Sequence, residues 1–95
     1  MFFTTFSKIL FLNAESIGDD FYCLHNVTIG NDKIKGRPTI GNNVSIYTGA
    51  VVVGHITIGN NVTIAANAVV RNNIPNNVLV AGVPAKIVKY IKWQD

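Results

Sequence analysis

The feature that most constrains this chain is a six-residue unit repeated from Ile40 to Val70, reading IGNNVS, IYTGAV, VVGHIT, IGNNVT, IAANAV and then Val70. With Ile40 as the first position, the same place falls to Ile46, Val52, Ile58, Ile64 and Val70; the fifth position falls to Val44, Ala50, Ile56, Val62 and Ala68. A period of six is a multiple of two but not of 3.6. An α-helix would spread these residues around its circumference, whereas short strands keep both sets on one face. Upstream, Ile17, Cys23 and Ile29 continue the lattice, and eleven residues instead of six then separate Ile29 from Ile40. Further steps back by six reach Phe11 and Thr5, with Ile9 at a fifth position. Glu15 spoils the next fifth position, so residues 1–16 read as a degraded edge coil, or the chain starts partway through a longer domain.

Turns fall at Gly41-Asn42-Asn43, Gly54-His55 and Gly59-Asn60-Asn61, residue types that accept positive φ at low cost. Corners this regular, with inward residues at a constant phase, exclude a chain of hairpins and require a coil. Three units per turn give an eighteen-residue coil, which stacks Ile40, Ile58 and Asn76, Ile46 with Ile64, and Val52 with Val70 as parallel strands. The shape is a triangular solenoid. Five extra residues within the segment 31–39, which holds Lys33, Lys35, Arg37 and Pro38, leave the lattice and return in phase. An ejected loop of this kind is where function tends to be grafted. After Val70 the pattern decays, recovers as a strand over Val78 to Ala81, and passes Gly82-Val83-Pro84. Ile87, Tyr90 and Ile91, three and four apart, predict a short C-terminal helix from Ala85 to Trp93. The expected layout is one all-β domain over residues 1–95: coils over 17–75, then a C-terminal strand and helix over 76–95.

Nearly half of the residues are apolar (48%) and 14% are charged, a balance that excludes disorder, and no apolar run approaches the ~20 residues of a membrane span. A chain of 95 residues buries a modest share of its surface alone, so a partner chain is expected. The lone Cys23 cannot form an internal disulfide and sits at an inward position as a small hydrophobe. A net charge of +3, without aromatic residues interleaved in a basic stripe, does not describe a nucleic-acid protein. The opening MFFTTFSKILFLNAES has one late lysine, a very short apolar core and a poor cleavage site, so a secretory signal is not expected and the cytoplasm is.

The repeat, together with VLVAGVPAKIV, resembles the hexapeptide-repeat acyltransferases. Within them, IGDDFYCLHNVTIGND, the loop closing on GRPTIGNNV, and IAANAVVRNNIPNNVLVAGVPAKIV look most like serine acetyltransferases and the sugar O-acetyltransferases of surface-polysaccharide pathways. The resemblance implies a left-handed parallel β-helix, although the general rule for crossovers favours the other hand. It further implies a homotrimer holding acetyl-CoA in a groove between subunits, with the pantetheine arm along the coils. The positions that match are Thr48, Ala66, Arg71, Lys86 and Lys89. Their chemistry agrees, since Thr48, Gly49, Ala65 and Ala66 keep a wall low while Arg71, Lys86 and Lys89 offer cations to phosphates.

The resemblance also places two catalytic histidines, one at the position of Thr5 and one at that of Arg37, and neither is a histidine here. Acetyl transfer to a hydroxyl requires a base. Of the two histidines present, His25 lies nearer the vacated position and just before the loop, and is the candidate base; His55 reads as an exposed turn. Two histidines thirty residues apart, without a third, do not make a three-histidine metal site, so no metal is expected. Two readings follow: an acetyl-CoA-dependent O-acetyltransferase acting on a small hydroxyl acceptor, serine or a sugar, or a non-catalytic or truncated hexapeptide trimer that keeps the fold and coenzyme A binding.

Overall fold

The computed structural model describes residues 3–5, 11–12, 14–31 and 36–91; Phe6, Ile9, Lys33, Lys35 and Trp93 lie outside them. Its strands are β1 (Phe3–Thr5), β2 (Phe11–Leu12), β3 (Ser16–Ile17), β4 (Phe21–Cys23), β5 (Thr28–Gly30), β6 (Thr39–Ile40), β7 (Val44–Ile46), β8 (Val51–Val53), β9 (Thr57–Ile58), β10 (Val62–Ile64), β11 (Val69–Val70), β12 (Val78–Ala81) and β13 (Lys86–Tyr90). Strands of successive coils pair in parallel, which produces three walls: β1-β4-β7-β10-β12, with β13 appended antiparallel to β12, then β2-β5-β8-β11, and β3-β6-β9. We call these walls A, B and C.

The lattice is the core. Cys23, Ile29, Ile46, Val52, Ile58 and Ile64 are fully buried, as are the fifth-position residues Val27, Val44, Ala50 and Ala68. Cys23 lies over Thr5 on one side and Ile46 on the other, and Ile46 over Ile64, so bulky branched residues form ladders inside the coil. Burying each such side chain is worth about 1.5–3 kcal/mol. No polar or charged residue among those described is buried.

The corners differ from expectation in one respect. Apart from Gly54, at a third position, the positive φ of these corners is carried by the fourth position of the repeat, at Asp20, Asn26, Asn43, Asn61 and Asn67, and by Gly49. Gly41 and Gly59 have ordinary φ and are small because the neighbouring coil passes too close for a Cβ. At the corner between walls C and A the asparagines also bond along the stack. Asn43 Nδ2 donates to Asn61 Oδ1 at 2.9 Å, and Asn61 Nδ2 to Asn77 Oδ1 at 2.8 Å. Replacing Asn61 by alanine removes both bonds, about 1 kcal/mol each, and leaves a Cβ residue at φ 58° without local support, about 1–2 kcal/mol more. Asn61→Gly is expected to recover the backbone share only, a difference that urea denaturation of the two variants measures.

Two registers depart from the lattice. Leu12, not Phe11, pairs with Ile29, so the first coil is slipped by one residue. Ile58 bridges Ile74, not Asn76, because the last coil has a spacing of 16 residues where the preceding one has 18. The missing residues fall at the corner between walls B and C, where Asn73 Oδ1 accepts the Thr57 N–H at 2.8 Å in place of a backbone carbonyl. The ejected loop leaves from this same corner two coils earlier, after Gly30. From Asp20 to Asn77 the other two corners carry positive φ at the same repeat position on successive rungs.

The C-terminal helix is not formed. Lys86–Tyr90 is a strand, β13, antiparallel to β12, and the described residues contain no helix. Lys86 pairs with Ala81, Ile87 with Val80, Lys89 with Leu79 and Tyr90 with Val78, so the register slips by one residue and Val88 is the extra one. A one-residue bulge turns a spacing of two into three. Ile87 and Tyr90 therefore share a face three residues apart, and the apparent helical period is a strand period interrupted once.

Candidate functional site

At the corner between walls A and B, three segments stack in register: 24–28, 47–51 and 65–69. The Leu24 N–H donates to Ile46 O at 3.0 Å, Tyr47 N–H to Ile64 O at 3.0 Å and Ala65 N–H to Val80 O at 2.9 Å. Gly49 N–H reaches His25 O at 3.3 Å, and Asn67 N–H reaches Thr48 O at 3.0 Å. His25, Thr48 and Ala66 thus occupy one column on successive rungs about 4.8 Å apart. His25 and Ala66 are exposed and Thr48 is half-buried. The column is low because its inward supports, Val27, Ala50 and Ala68, are small or branched and fully buried.

Lys86 and Lys89 are both exposed. Their partners Ala81 and Leu79 alternate with the buried Val78 and Val80, so all four point outward from wall A. Without the bulge, an odd spacing would have set the two lysines on opposite faces. The turn before β13 closes on the corner, with Val69 N–H donating to Gly82 O at 3.0 Å and Ala85 N–H to Val69 O at 2.8 Å. Arg71 is exposed but stands apart, beyond β11 at the far end of wall B.

The structure alters one expectation about the loop. Its returning limb lies at the B–C corner against His55: a Cβ placed on Gly36 would be 3.6 Å from the His55 ring carbons. His25 belongs to the other end of wall B. Arg37 is ion-paired to Glu15 at 2.9 Å, on a pair of exposed side chains. Sequence reasoning also missed Tyr22 and Tyr47, whose rings meet edge to face with centroids 6.3 Å apart. Their proximity depends on the five inserted residues, which bring Tyr22 level with Ser45. No group of three or more metal-ligating side chains occurs among the described residues.

A three-walled parallel coil of six-residue units, with an ejected loop and a low corner column, defines a hexapeptide-repeat protein. Residues 37–72 match the family described as bacterial transferase hexapeptide (six repeats). A putative colanic acid biosynthesis acetyltransferase, WcaB of Escherichia coli K12, is 47% identical over 77 residues, which cover 79% of this chain and 47% of that protein. The serine acetyltransferase of Neisseria gonorrhoeae superposes with a TM-score of 0.85 at 32% identity, covering 97% of this chain and 38% of that one. The serine acetyltransferase of Brucella abortus in complex with coenzyme A superposes with a TM-score of 0.73 at 37% identity, covering 79% of this chain and 31% of that one. The repeat of residues 37–72 belongs to the bacterial transferase hexapeptide family, and the coil is a left-handed β-helix. It spans about a third to a half of the length of the relatives it matches.

Proposed function

We propose that the chain is an acetyl-CoA-dependent O-acetyltransferase acting on a small hydroxyl acceptor, assembled as a homotrimer. The observation that carries this reading is the placement of a low column, His25, Thr48 and Ala66, beside two outward lysines on one wall. Thr48 and Ala66 leave room for a flat pantetheine arm, Lys86 and Lys89 hold the phosphates, and Arg71 adds a cation from the far end of wall B. The donor set fits the group, since phosphates prefer charge-assisted hydrogen bonds from exposed cations. The relative bound to coenzyme A supports the same cofactor here.

In the reaction His25 takes the proton of the acceptor hydroxyl as its oxygen attacks the acetyl carbonyl. The new C–O bond forms, the C–S bond breaks, and the proton passes from the imidazole to the departing thiolate. His25→Asn is expected to lower transfer by about 10²–10⁴-fold while coenzyme A still binds, and His55→Asn to leave transfer unchanged. An acetyl-CoA consumption assay on both variants decides the assignment, and full turnover by His25→Asn would place the base elsewhere.

Calorimetric titration with coenzyme A tests the cofactor site. Lys86→Ala is expected to weaken binding by about 1 kcal/mol or more. No binding to the unmutated protein would reject the reading. A second reading, a hexapeptide trimer that binds coenzyme A without turnover, draws on Thr5 and Arg37 standing where the family resemblance places histidines, with Arg37 engaged by Glu15. Binding without transfer to any acceptor would favour it.

A further inference from the structure

We propose that Tyr22 and Tyr47 form an aromatic platform for the ring of a carbohydrate acceptor, so that the hydroxyl acetylated at this site belongs to a sugar and not to a free amino acid. The inference rests on the acetyl-transfer reading above and names its acceptor class.

Both tyrosines point outward. Tyr22 lies between the buried Phe21 and Cys23, and Tyr47 follows the buried Ile46 and is 38% exposed. Neither position needs an aromatic side chain for the core. The rings meet edge to face, which holds one against the other while leaving ring surface open to solvent. On the following rungs the same columns carry Ser45 and Thr63 beside Tyr22, and Ala65 beyond Tyr47. The pair therefore stands as a wall at the edge of a low floor.

The wall also stands at the chemically useful end. Tyr47 directly precedes Thr48, which shares its column with His25. The strand that leads into Tyr47, β7, is three strands from β13, so the lysines lie about 14 Å away across wall A. With the phosphates on Lys86 and Lys89, the opposite, thioester end of the cofactor is directed toward the tyrosines. Among the described residues, an acceptor there meets aromatic surface and one imidazole. A pyranose presents an apolar C–H face to an aromatic ring, whose negative face attracts polarised C–H groups, and leaves its hydroxyls free at the edge. An amino acid presents a carboxylate and an ammonium, each of which needs an ionic partner when desolvated. The side chains on these rungs, Leu24, His25, Tyr47, Thr48, Ala65 and Ala66, supply neither a carboxylate nor a permanent cation. Arg37 stands at a different corner, paired with Glu15.

Saturation-transfer NMR from the protein's aromatic protons tests the platform, with methyl β-D-galactopyranoside, methyl α-D-glucopyranoside and L-serine as probes. Saturation of pyranoside ring protons is expected, with none on serine. Tyr47→Ala is expected to weaken pyranoside binding about tenfold, and Tyr47→Phe, which keeps the ring, to stay close to the unmutated protein. Coenzyme A affinity by calorimetry should be the same in all three proteins. The platform is overturned if neither pyranoside is saturated, if serine is saturated in their place, or if Tyr47→Ala leaves pyranoside binding intact. Loss of coenzyme A affinity in Tyr47→Ala with pyranoside binding unchanged would also overturn it, by assigning the rings to the cofactor's adenine. Pyranoside binding that tracks Tyr47 in a protein unable to bind coenzyme A would instead sink the transfer reading and leave the platform standing.

Discussion

Ala66→Tyr is expected to abolish the proposed coenzyme A binding while the coil and the proposed trimer persist. Ala66 is exposed, contributes nothing to the core, and forms the floor of the corner column between the rung of Thr48 and the turn that begins at Gly82. Its φ is ordinary, so a larger side chain costs no backbone strain and projects outward into the space assigned to the pantetheine arm. A ring there excludes the arm outright. Affinity is expected to fall by at least about a hundredfold, roughly 2.7 kcal/mol. Sedimentation and urea unfolding should match the unmutated protein, which separates a blocked groove from a broken fold. Ala68→Tyr provides the contrast two residues on, since Ala68 is fully buried and inward, and that variant should lose the fold. Unimpaired coenzyme A binding by Ala66→Tyr would move the cofactor away from this corner.

Gly41→Ala is expected to destabilise the coil more than Gly54→Ala, although Gly54 is the glycine with the unusual backbone. A Cβ on Gly41 would meet Asn60 Oδ1 and would lie 2.7 Å from Gly59 O and 2.9 Å from Gly59 C, where the next rung has no freedom to withdraw. Asn60 is itself committed, because its Oδ1 accepts the Asn42 N–H at 2.7 Å. Relieving the clash means breaking that bond and spreading the rungs, an overpacking cost of about 3 kcal/mol or more. At Gly54 a Cβ would enter open space, so the penalty is the strain of φ 101° alone, about 1–3 kcal/mol and nearer the lower figure in a corner free to relax. Thermal unfolding of the two variants measures the order. Equal stability of Gly41→Ala and the unmutated protein would contradict the close approach of the rungs.

The period alone determined the core. A six-residue spacing of branched residues permits only short strands with one buried phase, and the residues it selects from Cys23 to Val70 are the buried ones. It also located the ejected loop, because phase is lost and regained across it, and it placed Thr48 and Ala66 eighteen residues apart on one column. The hand of the coil was not in the pattern, since a left-handed and a right-handed coil bury the same residues.

Tertiary structure decided what depends on contacts between rungs. Ile87 and Tyr90 carry a three-residue spacing that a helix and a bulged strand both satisfy, and the exposed edge of β12, with backbone groups needing partners, selected the strand. That choice set Lys86 and Lys89 on one face. The two residues missing from the last coil passed unnoticed because the Asn76-Asn77 pair imitates the corners at Asn42-Asn43 and Asn60-Asn61. The structure stacks those asparagines and so brings Ile74 under Ile58. Tyr22 and Tyr47 are separated by a full turn and a loop in the sequence, and only the coil's closure, which fixes which rung lies beside which, brings the two rings into contact.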